Sequence, residues 1–156
     1  MKLLLVFALL ATFVAGSFAE APQPQTDLHK ALSLASKEQK LAFVLLGRPA
    51  CGNCNATKAM IKEEKIEVTS ADYVMADLNV DDQRTYAAFM QKYGKEDFGN
   101  TLPFVVITDS RGKLLTSSGG YKNAARWNAL LAEAKGKLSP SGGAAGNRPS
   151  KAAAKQ

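Results

Sequence analysis

Leu41-Ala-Phe-Val-Leu-Leu46, Gly47-Arg-Pro-Ala-Cys51-Gly-Asn-Cys54-Asn55 and Ala56-Thr-Lys-Ala-Met-Ile-Lys-Glu-Glu-Lys65 follow one another without a break. The first run is apolar, with the length and β-branched or aromatic content of a buried strand. The last is rich in helix formers and reads as a helix. Between them stand the chain's two cysteines, at i and i+3 on the first turn of that helix. Residues so spaced face each other across one turn, close enough for a disulfide to form and reopen without moving the backbone. Position makes the two sulfurs unequal. Cys51, at the helix start, meets unpaired backbone N–H groups and the positive end of the dipole, which favour its thiolate. Cys54, a turn deeper, is expected to be less exposed. One attacking and one resolving thiol is what thiol–disulfide exchange requires.

Outward from this centre, the 156 residues have room for one domain with a real core. Met1-Lys2, the apolar run Leu3 to Val14 and the small-residue ending Ala15-Gly-Ser-Phe-Ala19 have the form of a secretory signal peptide, residues 1–19, with cleavage after Ala19. The apolar run is shorter than the ~20 residues that span a bilayer, which argues against a retained anchor and for no stable membrane insertion after cleavage. The expected setting is therefore exported, periplasmic or secreted. The ending Ala-Ala-Ala-Lys155-Gln156 is no ER-retention signal, which favours a bacterial periplasm. Disulfides persist there, so a purely structural Cys51–Cys54 bond is the competing reading. A four-residue loop, however, removes only about 2 kcal/mol of unfolded-state entropy, against about 3 for fifteen residues.

The formal net charge is +6, but setting aside Lys2 and the tail's Arg148, Lys151 and Lys155 leaves +2, too little for a nucleic-acid face. Lys62 to Lys65 reads as a solvated helix face. Residues 20–25, with Pro22 and Pro24, read as a flexible linker. Thr26 or Asp27 caps a helix to about Gln39, with Leu28, Ala31, Leu32 and Ala35 on one face. His29, the single histidine, is expected exposed on it, which leaves no support for a histidine metal site. A strand over 72–80 leads to a helix capped by Asp81 or Asp82. On it Tyr86, Phe89, Met90 and Tyr93 fall at helical spacing and read as core, and Gly94 ends it. A polar loop, 95–101, precedes Leu102-Pro103, a strand 104–108, a turn at 109–112 and a returning strand 113–117. Gly119-Gly120 is a second turn before a helix over 123–137, where Trp127, Leu130, Leu131 and Ala134 form an apolar face. Residues 139–156 lack periodicity and read as a disordered tail.

The order strand, CxxC helix, strand, helix, Pro-led hairpin, helix resembles the thioredoxin superfamily over residues 26–138. The resemblance rests on Cys51-Gly-Asn-Cys54 after a strand, Asp77-Leu-Asn-Val-Asp81, Lys92-Tyr-Gly94, Pro103 opening a strand and Gly119-Gly120 before the last helix. It implies an α/β, thioredoxin-like fold: a central mixed sheet of about four strands flanked by helices. It implies a thiol–disulfide oxidoreductase with Cys51 and Cys54 catalytic, no cofactor and no metal, acting as a monomer on protein thiols and disulfides with a recycling redox partner. It also implies a cis bond before Pro103. The substrate contacts would lie at Leu102, Pro103 and Gly120, the Leu102 backbone pairing with an extended segment.

The departures are specific. Ala50 stands where the family usually has tryptophan, and Leu45 where it often buries a carboxylate. Asp77 occupies a common lysine position and is the candidate proton acceptor for Cys54. Arg48 is the candidate stabiliser of the Cys51 thiolate. The dipeptide Gly52-Asn53 fixes neither a reducing nor an oxidising direction, and the loop from Gly94 to Pro103, longer than in compact thioredoxins, is expected to shape the groove. Two rival readings are a redox-silent binding module that keeps the disulfide as structure, and a Cu(I) carrier using two thiolates.

Overall fold

The computed structural model describes residues 20–138; the expected signal peptide and tail lie outside the described residues. Along that stretch run helix α1 (Leu28–Glu38), strand β1 (Leu41–Gly47), helix α2 (Gly52–Lys62), strand β2 (Tyr73–Asn79) and helix α3 (Gln83–Tyr93). Strands β3 (Phe104–Thr108) and β4 (Leu114–Gly119) and helix α4 (Ala124–Gly136) follow. The sheet order is β2-β1-β3-β4, with β1 parallel to β2 and antiparallel to β3, which pairs antiparallel with β4. This is the mixed four-stranded α/β architecture expected from the sequence.

Strand β1 has no polar side chain because both its faces are covered, and all seven of its positions are buried. Leu41, Phe43 and Leu45 point to one layer, packed with Cys54 and Ile61 of α2 and Trp127, Leu130 and Leu131 of α4. Ala42, Val44 and Leu46 point to the other, against Leu28, Ala31 and Ala35 of α1 and Phe89 and Tyr93 of α3. Trp127 is fully buried and meets Phe43 edge to face, ring centroids 6.1 Å apart, so it is the packing residue its spacing implied.

Each helix begins with a side chain accepting a hydrogen bond from a first-turn N–H: Asp27 from Lys30, Cys51 from Cys54, Asp82 from Thr85 and Asn123 from Arg126. Three are ordinary caps. In α2 the cap is a sulfur.

Three features differ from the sequence reading. Residues 20–25 are not a free linker. Gln25 lies beside Ala76 on the outer edge of β2, its N–H donating to Met75 and its carbonyl accepting from Asp77, while Ser70 donates to the Glu20 carbonyl at 2.7 Å. The two prolines suit such an edge, where a missing N–H costs no ladder bond. Second, Tyr86 does not join the core: it is 40 % exposed, while Phe89 and Tyr93 are buried. It stands in the first turn of α3 and lines a cleft with Val80 and Phe104 instead of joining the packed layer of Phe89 and Tyr93. Third, the loop between Gly94 and Pro103 is anchored by its own side chains. Phe98 is buried, stacked on Phe104 at 5.0 Å and against Phe89 at 5.6 Å, and Glu96 accepts from the Ser117 hydroxyl. Gly119 permits this passage, since a Cβ there would run into the Phe98 carbonyl.

Candidate active site

Strand β1 ends at Gly47, and the chain turns through Arg48-Pro49-Ala50 to set Cys51 at the N-terminus of α2. Cys51 and Cys54 are joined in a disulfide with a Cα–Cα separation of 5.2 Å. The two sulfurs differ as their positions require. Cys51 is half-buried, and its Sγ accepts from the Cys54 N–H at 3.1 Å. Cys54 is fully buried in the core layer below α2. It fits there because Gly47 has no side chain: a Cβ on Gly47 would sit 2.7 Å from the Cys54 sulfur.

A cleft of about 650 Å³ opens beside Cys51. Leu102 lines it, and the Leu102–Pro103 peptide is cis, as the resemblance implied. Pro103 is buried beneath, its carbonyl accepting from the Gly120 N–H at 3.0 Å. Gly120 does not line the cleft. Its left-handed φ of 73° turns the chain behind Thr101, and its N–H is already used within the fold. Asn53 does line it, and its Nδ2 donates to the Leu102 carbonyl at 3.4 Å, tying the CxxC helix to the proline loop.

Arg48 shares the cleft wall with Cys51, but its guanidinium pairs with Asp81 at 3.1 Å, with both side chains about half exposed. The carboxylate and solvent weaken the field that Arg48 exerts on the sulfur. Asp77 stands beside Leu45 across the β1–β2 ladder, on the sheet face that α2 covers. Its carboxylate receives Lys58 Nζ of α2 at 3.0 Å. Lys58 is one turn beyond Cys54, and a recess of about 140 Å³ lined by Gly47, Lys58 and Asp77 lies between the sheet and that helix. Asp77 is thus on the Cys54 side, already holding a cation. Sequence reasoning missed that partner, which lies 19 positions away, and missed Tyr86, Val80 and Phe104 in the cleft wall.

A family model described as a thioredoxin-like domain matches residues 28–135. The chain belongs to the thioredoxin-like family. Among solved structures, a point mutant of thioredoxin from Halobacterium salinarum NRC-1 superposes with a TM-score of 0.55 at 15% identity, covering 74% of this chain and 93% of that one. A chain from the complex of ferredoxin:thioredoxin reductase with thioredoxin f2 gives the same score and identity, over 78% of this chain and all of the other. At that identity both speak for the fold alone. No curated protein sequence matches the chain. Within this thioredoxin-like domain the half-buried sulfur of Cys51 and the Leu102 end of the cis-proline loop meet at one cleft, with the Cys54 sulfur buried behind Cys51, an arrangement suited to disulfide exchange.

Proposed function

We propose that this chain is an exported thiol–disulfide oxidoreductase acting on protein substrates through Cys51 and Cys54. The observation that supports it most is the asymmetry of the pair: one sulfur half-buried at a helix N-terminus on an open cleft, the other sealed beneath it. In the reducing direction the Cys51 thiolate attacks a substrate disulfide. A Cys51–substrate bond forms, and the first substrate sulfur leaves as thiolate. Cys54, losing its proton, then attacks Cys51 Sγ, the mixed disulfide breaks, and the second substrate sulfur leaves. Two electrons pass from the protein dithiol to the substrate disulfide. The oxidising direction is the reverse, and no cofactor enters either one.

The backbone supports Cys51 as the attacking group, because the Cys54 N–H that caps it in the disulfide is placed to hydrogen-bond its thiolate after reduction. Asp77, on the Cys54 side, is assigned as acceptor of the Cys54 proton, and Lys58 holds its carboxylate in place. The Leu102 backbone at the cleft offers an edge for a substrate strand. Export is supported by the sequence of residues 1–19, and no described helix is long and apolar enough to cross a membrane.

Substrate trapping tests the reading. With Cys54→Ser, resolution is blocked, so a disulfide-linked adduct to a model protein disulfide accumulates on Cys51, while Cys51→Ser forms none. No adduct with Cys54→Ser and no disulfide turnover by the wild-type protein would instead indicate a redox-silent module.

A further inference from the structure

Among the described residues the large hydrophobic side chains left most exposed are Tyr86, Tyr121 and Leu138. An isolated exposed ring is ordinary and needs no explanation. Tyr86 is different, because it converges with Val80 and Phe104 on the cleft that holds Cys51 and Leu102. We propose that this cleft selects substrate cysteines flanked by a large uncharged side chain, aromatic or aliphatic, which enters between Tyr86, Val80 and Phe104. The proposal rests on the oxidoreductase reading and adds a substrate class to it.

Three observations carry it. The apolar wall is preformed: Phe104 stacks on Phe98 with the ring planes 18° apart, and Phe98 rests on buried Phe89, so filling the cleft requires no collapse of the loop. The space, about 650 Å³, is that of a small-ligand site and admits a ring together with a stretch of backbone. The charge pattern excludes a basic flank. Arg48 is the one charged lining side chain, Asp81 already holds it, and the other polar side chains of the wall are neutral: the amides of Asn53 and Asn100 and the hydroxyls of Thr101 and Tyr86. No lining carboxylate waits for a lysine or arginine. Cys51 and Tyr86 line the same cleft, so a side chain neighbouring the reacting sulfur is offered this apolar wall.

The test uses the oxidised protein and short peptides Ala-X-Cys-Ala and Ala-Cys-X-Ala, with X phenylalanine, alanine or lysine. A peptide thiolate attacks Cys51 Sγ and Cys54 leaves. A second peptide thiolate then attacks the peptide sulfur of the mixed disulfide, giving reduced protein and peptide disulfide. Each rate is divided by that peptide's rate with glutathione disulfide, which removes differences in thiol reactivity. In one of the two registers phenylalanine should exceed alanine by about tenfold, the range for filling an apolar pocket, with lysine no better than alanine. Tyr86→Ala should bring phenylalanine and alanine within about twofold, and Tyr86→Phe should keep the preference. Equal normalised rates for all peptides, or a preference undiminished in Tyr86→Ala, would overturn the selectivity while leaving the exchange reaction standing. No exchange with any peptide in either direction, oxidised protein with peptide thiols or reduced protein with peptide disulfides, would remove the oxidoreductase reading, and this proposal with it.

Discussion

Gly47 shows how one missing methyl group shapes the reactive pair. Its absent Cβ is where Cys54 packs, so Gly47→Ala must push the buried sulfur outward or bend β1. Overpacking of this kind costs about 1–3 kcal/mol. Thermal unfolding should therefore show a lower Tm, together with slower release of the Cys51 mixed disulfide; wild-type values on both would refute this role. Asp77 makes a second prediction. If it accepts the Cys54 proton, Asp77→Asn shifts the rise of the resolution rate to higher pH, because hydroxide or solvent must then take the proton. A superimposable pH–rate profile would remove Asp77 from the chemistry. The two cysteines and Pro103 were legible in the sequence because their meaning is local spacing. Lys58 was not, since its pairing with Asp77 exists only once α2 lies on β2. Tyr86 misled for a related reason: helical spacing assigns a residue to a face but does not say whether that face is covered along its whole length, and at Tyr86 it opens onto the cleft.

Among the helices, capping is a shared device that the sequence disclosed well. Asp27, Asp82 and Asn123 were readable as caps or helix starts, and each accepts a first-turn N–H. Hydrogen bonds from the Thr85 backbone and side chain hold the Asp82 carboxyl below its ordinary range. A carboxyl depressed in the folded state contributes stability that is fully present above its unfolded value, and it is lost as pH falls through the folded value. Asp82→Asn keeps the cap without the titration. Below about pH 4 the loss of stability should therefore be shallower in the variant than in the wild type, followed by urea unfolding at each pH. Parallel curves would contradict the assignment. Gly94 was placed correctly at the end of α3 for an incomplete reason. Its φ of −68° is right-handed, so any residue could adopt it; a Cβ there would instead collide with the Met90 carbonyl.

At the scale of the whole molecule, sheet β2-β1-β3-β4 divides the core into two layers and places the CxxC turn, the first turn of α3 and the proline loop at one end. The succession of strands and helices along the chain followed from the pattern of apolar runs and turns, and the mixed sheet from the family resemblance, but the order of strands within the sheet was not read from the sequence. The fate of residues 20–25 did not, because a Pro-rich segment with no periodicity looks the same whether it is free or laid along a strand. Here it lies along the edge of β2 with backbone hydrogen bonds to Met75 and Asp77, and bonds Ser70 just ahead of that strand. A chain starting at Thr26 should accordingly lose about 2–3 kcal/mol relative to one starting at Glu20, at roughly 1 kcal/mol per bond. Equal urea midpoints for the two would show the segment to be dispensable.

The central claim is that Cys51 is the reachable, ionisable sulfur and Cys54 the sealed one. Alkylation of the reduced protein by iodoacetamide across pH, with the modified cysteine located by mass spectrometry, tests it directly. Cys51 should react at about pH 6–7 faster than free cysteine, with its half-rate pH below the ordinary thiol value of about 8.5, while Cys54 stays unmodified in the folded chain. A Cys51 rate no faster than free cysteine at every pH, or prior modification of Cys54, would contradict the account.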